Sequence, residues 1–238
     1  MAVKASSTGS KTLAVLDAVA RNQPVGVSEL SRLLDEDKSM VQRMLVTLSE
    51  DGWIRPAASR TTKWQVTDRL RVLADIACSS ANFREAAREA IARLCHETGE
   101  TVSLVVRDGR RFIVTDVAES REILRVAPKI GDDVPGPISA CSLSVLPYVS
   151  AEDRKLILGK DCDDDLVKQI ELVGRNGYSV MERERRGGTV NIASAIFDKL
   201  GSPLAVIVLS APVGRLGRRE REAVGVMIRD AARSVSEH

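Results

Sequence analysis

Aromatic residues are almost missing from these 238 positions: three Phe, two Tyr and two Trp, 3% in all. So thin a supply excludes the stacked aromatic platforms on which proteins hold single-stranded nucleic acid. Histidine is scarcer still, with only His96 and the terminal His238. The first sits in Cys95-His96-Glu97, and adjacent residues on a helix point to different faces, so no metal site is expected there. The four cysteines, Cys78, Cys95, Cys141 and Cys162, have no short pairing. A chain of this length needs no disulfide staples, and a reducing cytoplasm is the expected address. No motif places a histidine beside Cys141, which argues against a catalytic thiol. A glycine-rich phosphate loop and a Gly-x-Ser-x-Gly elbow are missing too. Asp161 and Asp163–Asp165 lack the glycine and distal glutamate of a calcium loop and read as a solvated turn. No apolar run approaches the ~20 residues of a membrane span, and MAVKASSTGSK lacks the apolar core of a secretory signal. No cofactor, metal, membrane or catalytic centre is expected.

Charge of one sign is absent as well. Lys and Arg number 35 against 33 Asp and Glu, a net of +2, so the whole chain does not announce a polyanionic partner. The distribution says more. Within Trp53–Arg71 the cations Arg55, Arg60, Lys63, Arg69 and Arg71 face a single anion, Asp68. Such a stripe fits phosphate contacts, or else a solvated face.

What is present suits two domains, with 44% hydrophobic residues to fill their cores. Residues 1–9 read as a disordered tail, and Ser10 as the cap of a helix carrying Leu13, Leu16 and Val19 until Asn22-Gln-Pro24 stops it. Val25-Gly-Val27 is a short extended piece. Ser28 caps a second helix with Leu30, Leu33 and Leu34 inward. Asp35-Glu-Asp37 is a turn, and a third helix carries Val41, Met44, Leu45 and Leu48 inward to Asp51-Gly52. Trp53-Ile54 and Lys63–Val66 are two short strands around the polar turn Ala58-Ser-Arg-Thr61. Three helices and a two-stranded wing within residues 10–67 make a winged helix-turn-helix. The third helix then offers Lys38, Ser39, Met40, Gln42, Arg43 and Thr47 to a major groove. Lys38 and Arg43 reach phosphate or guanine, Gln42 pairs with adenine, and Met40 meets a thymine methyl. Arg60, Thr61 and Lys63 are the wing's contacts. The expected partner is a double-stranded DNA operator.

Residues 68–81 hold a linker helix, Arg69 to about Ala77, and 82–238 form the second domain. It opens with a helix from Asn82 to Thr98. Strands are expected at Thr101–Val106, Arg111–Val117, Glu122–Val126, Tyr178–Met181, Val190–Phe197 and Leu204–Ser210. Ile138–Val149 is a helix candidate after the loop Gly131–Pro137. Polar helices occupy Ala151–Leu158 and Asp164–Val173, and a last helix carries Ala223, Val224, Met227, Ile228 and Ala231. This mixed order gives an α+β domain on an antiparallel sheet.

The first half reads Val27-Ser-Glu-Leu-Ser-Arg-Leu-Leu34, Lys38-Ser-Met-Val-Gln-Arg-Met-Leu45 and Leu48-Ser-Glu-Asp-Gly-Trp53. The second carries Gly177-Tyr178, Glu184, Gly188, Asn191-Ile-Ala-Ser-Ala-Ile-Phe-Asp198 and Leu204–Ser210. Through these motifs, in this order, the chain from Ser10 onward resembles the IclR family of bacterial regulators, with Met40 where Thr is usual. In the loop Pro135-Gly-Pro-Ile-Ser139-Ala-Cys-Ser142-Leu143 the family's usual Gly-Lys pair is missing. The resemblance implies a GAF- or profilin-like effector-binding domain with a curved antiparallel sheet. It places ligand-facing backbone amides at Ala140 and Cys141, and side chains at Met181, Asn191, Val208 and Ser210. Asn191, Ser210 and nearby Ser139 are then the hydrogen-bonding set, with Leu143, Met181 and Val208 as apolar walls. Such a pocket suits a bulky or aromatic acid better than a two-carbon one, its carboxylate favoured by the start of the helix at Ile138.

The expected function is a ligand-responsive transcription regulator, a repressor, acting as a homodimer or tetramer. Two other readings stand beside it. One is an enzyme acting on a small ligand in the second domain, against which the missing nucleophile and base count. The other is a DNA-binding protein whose second domain only oligomerises.

Overall fold

Ser6 starts the first helix: its hydroxyl accepts the amide of Gly9 at 3.2 Å, and α1 runs Ser7–Asn22. The computed structural model describes residues 6–57, 62–77, 81–134, 136–183 and 188–237. The expected tail is therefore helical from Ser7, and its first five residues lie outside the described ones. Ser10 is inside the helix, its hydroxyl donating to the Ser6 carbonyl at 3.2 Å. Of the hydroxyl residues able to cap, the earlier one wins because it adds a turn of backbone hydrogen bonds.

The chain divides into two units, Met1–Ser79 and Ser80–His238. In the first, α1 is followed by α2 (Val27–Leu34), α3 (Lys38–Glu50), β1 (Ile54–Pro56), β2 (Trp64–Val66) and α4 (Arg69–Ala77). Asp35 closes α2 in the left-handed region, φ 51°, which Asp tolerates better than most side chains. Asp37 then caps α3. Two caps on a three-residue turn make the angle between α2 and α3. Val15, Val19, Leu30, Val41, Leu45, Ile54 and Trp64 are buried in one core. β1 and β2 pair antiparallel, and Val25 bonds to Trp64 in both directions, at 3.1 and 2.8 Å. These features are the winged helix-turn-helix plan.

The second unit holds α5 (Ala81–Thr98), β3 (Thr101–Asp108), β4 (Arg111–Ala118), α6 (Ala140–Val145), α7 (Ala151–Leu158), α8 (Asp164–Asn176), β5 (Ser179–Arg183), β6 (Thr189–Phe197), β7 (Pro203–Pro212) and α9 (Arg218–Ser236). One antiparallel sheet runs β4-β3-β7-β6-β5. Alternation along each strand separates two cores. Val102, Leu104, Ile192, Ile207 and Leu209 pack with Ile91, Leu94 and Ile228 of α5 and α9. Val105, Ala193, Ala195, Val206 and Val208 face α6, α7 and α8. The strands give the first face mostly Leu and Ile and the second mostly Val and Ala.

Two expectations about this unit fail. Glu122–Val126 is not a strand, and Ile123 is 99% exposed. The outer edge of β4 is taken by the segment behind it instead. Gly131 donates to Val114 at 2.7 Å, Val114 to Asp132 at 3.0 Å, and Val134 to Phe112 at 2.8 Å. The helix expected over Ile138–Val149 is confined to Ala140–Val145 and passes into a single 3-10 turn, Leu146–Tyr148. Ser139 and Ser142 form a capping box at its start, and Pro147 has no amide with which to continue it.

Candidate functional site

The first candidate surface is the outer side of α3. Its inward residues Val41, Met44, Leu45 and Leu48 are buried, which turns Lys38, Ser39, Gln42, Arg43 and Thr47 outward, all exposed. Val46, 40% exposed, joins them and escaped the sequence reading. Met40 departs from expectation: it is half-buried against the core, with the Lys11 ammonium 3.9 Å from its sulfur. Ser39 donates its amide at 3.1 Å and its hydroxyl to the Asp37 carboxylate, and these bonds hold that carboxyl below its ordinary range. The Thr47 hydroxyl donates to the Arg43 carbonyl at 3.1 Å. Lys38, Gln42 and Arg43 keep their polar heads on the surface.

The basic stripe beyond α3 divides. Arg69 lies 4.4 Å over the Trp53 ring and donates to the Asp51 carbonyl, so it ties α4 to the end of α3. Arg71 pairs with Asp68 at 3.6 Å. Arg55 is exposed on β1, and Lys63, before β2, is half-buried. Arg60 and Thr61 lie outside the described residues.

The second candidate is a cavity of about 250 Å³ on the α6 side of the five-stranded sheet. Six of the expected residues meet there: Ser139, Ala140, Cys141, Asn191, Val208 and Ser210. Asn191 and Ser210 stand opposite each other on β6 and β7, and the Ser210 hydroxyl donates to Asn191 Oδ1 at 2.7 Å. That bond fixes the amide, whose nitrogen donates to Thr189 Oγ1 at 3.5 Å and keeps a second hydrogen. At the start of α6, Ser139 Oγ accepts the Ser142 amide at 3.1 Å and Ser142 Oγ accepts the Ser139 amide at 2.9 Å.

Two expected walls are elsewhere. Leu143 is buried in the core on this side of the sheet, and Met181, opposite Asn191 on β5, packs against the same core without lining the cavity. Their place is taken by Val105, Val114, Val126, Pro128 and Val134. Val105 and Val114 are partners across a bulge in the β3–β4 pair, which bends the strands around the space. Asp132 and Asp133 close the rim. Asp132 accepts the Lys129 amide at 2.8 Å, and Asp133 pairs with Arg111 at 2.8 Å. Among the described residues the lining holds no cationic side chain. The sequence reading also missed Ser103, buried on β3 with its side facing this space. Its period-two position on a buried strand was the available signal.

Residues 10–57 match the IclR helix-turn-helix domain, and residues 76–237 match the C-terminal domain of the bacterial transcriptional regulator IclR. The chain belongs to the IclR family.

Members of the IclR family to which it is similar include the HTH-type transcriptional regulator KdgR of Dickeya chrysanthemi, 25% identical over 95% of this chain and 78% of that one. The transcriptional repressor IclR of Escherichia coli K12 is 24% identical, covering 95% of this chain and 88% of the relative. Among solved structures, the IclR regulator of Alicyclobacillus acidocaldarius superposes with a TM-score of 0.77 at 18% identity, over 98% of this chain and 99% of that one. The Thermotoga maritima IclR gives 0.71 at 22%, over 97% of each. The IclR family consists of transcriptional regulators, and its helix-turn-helix domain binds DNA. No helix among the described residues is long and apolar enough to cross a membrane.

Proposed function

We propose that this chain is a ligand-responsive repressor: α3 reads operator DNA, and a small molecule in the 250 Å³ cavity sets its occupancy. One observation carries the reading. The Asn191–Ser210 pair, half-buried at Asn191 and buried at Ser210, is a polar floor beside the valines of the cavity, the arrangement by which pockets fix a mostly apolar ligand. A hydrophobic core without a ligand has no use for it.

The volume argues for size. At about 30 Å³ per water, the cavity has room for roughly eight waters, so a two-carbon acid would leave most of it unfilled. An acid with a substantial apolar body fits better, its head lying between Asn191 and the turn at Ala140 and Cys141, its body on the valines. Ala140 and Cys141 line the cavity at the start of α6, on the side where such a head would lie.

The test is a thermal-shift screen of the full chain over aromatic and aliphatic carboxylic acids. Anisotropy titration of operator DNA with each stabilising compound follows. Asn191→Leu should abolish the ligand shift and leave DNA affinity unchanged. Normal ligand response in that variant would sink the assignment. Turnover of a stabilising compound would favour an enzyme instead.

A further inference from the structure

Ser103 carries a hydroxyl that the fold does not use. It lies on β3, is 4% exposed and lines the cavity, yet no hydrogen bond to its side chain is formed among the described residues. Its buried serine neighbours are all engaged: Ser139 with Ser142, Ser144 with the Cys141 carbonyl at 2.8 Å, and Ser179 with the Ala140 carbonyl at 2.7 Å. Ser210 is bound to Asn191. The residue is 4% exposed, and its oxygen is not among the buried side-chain atoms that lack a partner; it opens on the cavity, where a bound molecule can meet it as donor or acceptor.

Position gives the unused hydroxyl a meaning. Ser103 is opposite Val208 on β7, which is opposite Ala193 on β6; the Asn191–Ser210 pair lies two residues further along those strands. With strands about 4.8 Å apart and a rise of about 3.4 Å per residue, Ser103 is roughly 8 Å from Ser210 between Cα atoms and further from Asn191. That is too far for both ends to hold one oxygen. It suits the opposite ends of a six-membered ring. The apolar side chain of Val208 fills the interval.

Resting on the reading of the cavity as the effector site, we infer that Ser103 is a specificity-determining residue for a two-ended ligand. One polar head is held by the Asn191 amide nitrogen, which the bond from Ser210 to Asn191 Oδ1 orients. A second polar group, a hydroxyl or an amine on the far side of an apolar ring, bonds to the Ser103 hydroxyl. Ser103 both donates and accepts, so it reads the presence of that group. The head is a carbonyl oxygen, of a carboxylate or an amide, because the Asn191 nitrogen is the donor the floor presents.

Calorimetric titration of the full chain with matched probes tests this. The pairs are cyclohexanecarboxylate with trans-4-hydroxycyclohexanecarboxylate, and benzamide with 4-hydroxybenzamide; comparing the pairs separates a carboxylate head from an amide. The wild-type chain should prefer the hydroxylated member of at least one pair by about two- to tenfold, the worth of one hydrogen bond. Ser103→Ala should erase that preference, keep the affinity for the unhydroxylated member, and leave the ligand-free melting temperature unchanged or higher. Asn191→Leu should weaken every probe that binds. A preference that survives in Ser103→Ala, or a lowered melting temperature of the ligand-free variant, overturns the role of Ser103 and leaves the effector site standing. Binding without preference in the wild-type chain does the same. Failure of all four probes to bind overturns the cavity reading and this inference with it.

Discussion

Arg43 and Lys63 are both cations of the first unit, but one is exposed and the other half-buried. Arg43 is exposed in the second turn of α3, between Gln42 and the Thr47 hydroxyl, on the one helical face that the core does not claim. With α3 proposed to enter a major groove, a guanidinium there would reach a base edge, whereas Lys63, half-buried at the foot of β2, would meet a phosphate. Arg43→Ala should therefore weaken operator binding by about 1–3 kcal/mol and relax specificity at the position it reads. Lys63→Gln should weaken binding to all duplexes alike and reduce the slope of affinity against salt by about one. Anisotropy titrations on operator and scrambled DNA at several salt concentrations check both. Equal losses on the two duplexes in Arg43→Ala would remove base reading by that residue. Met40 stands apart: its side chain is spent on the core and Lys11.

Among the elements, α9 depends on one missing Cβ. Gly225 is buried in the middle of that helix, against the ring of Tyr178. A helix interior ordinarily disfavours glycine by about 1 kcal/mol relative to alanine, so Gly225→Ala on propensity alone would stabilise. Packing reverses the sign. A Cβ at that position would run into the Tyr178 ring, which follows Gly177, the left-handed cap of α8 with φ 75°. Gly225→Ala should cost about 1–3 kcal/mol through overpacking, read as a lowered denaturant midpoint with an unchanged slope. Tyr178→Ala in the same background should remove the clash and shrink the penalty of the glycine substitution, as coupling between touching residues requires.

At the scale of the molecule, one winged helix-turn-helix contacts too few base pairs for useful affinity against genomic competition, so paired half-sites are needed. The first unit leaves apolar side chains uncovered where a second copy could meet them: Leu13 on α1 is 66% exposed, and Val72 and Leu73 on α4 are 47% and 42% exposed. Sedimentation at micromolar concentration should show a dimer or tetramer, and Leu13→Glu should shift it toward monomer and weaken operator binding. A chain that is monomeric and binds its operator as a monomer would overturn this expectation.

The sequence by itself determined the elements whose signals are local. Helical spacing placed α2, α3 and α5 within a residue or two, although Ser28, expected to cap α2, lies inside it behind Gly26; alternation placed β3, β6 and β7. The opposition of Asn191 and Ser210 is a matter of register, set in the structure by the hairpin that turns between Asp198 and Ser202. Tertiary structure decided whatever depends on who occupies a free place. Glu122–Val126 has strand-like residues but no edge to join, since Gly131–Val134 holds the side of β4. Leu143 and Met181 have the right chemistry for a wall, yet the core takes them. Ser103 looks in the sequence like any polar residue on a strand. Only the fold, by burying it beside an open space and giving every serine around it a partner, leaves its hydroxyl unspent, because burial and vacancy are properties of packing and not of the chain's local pattern.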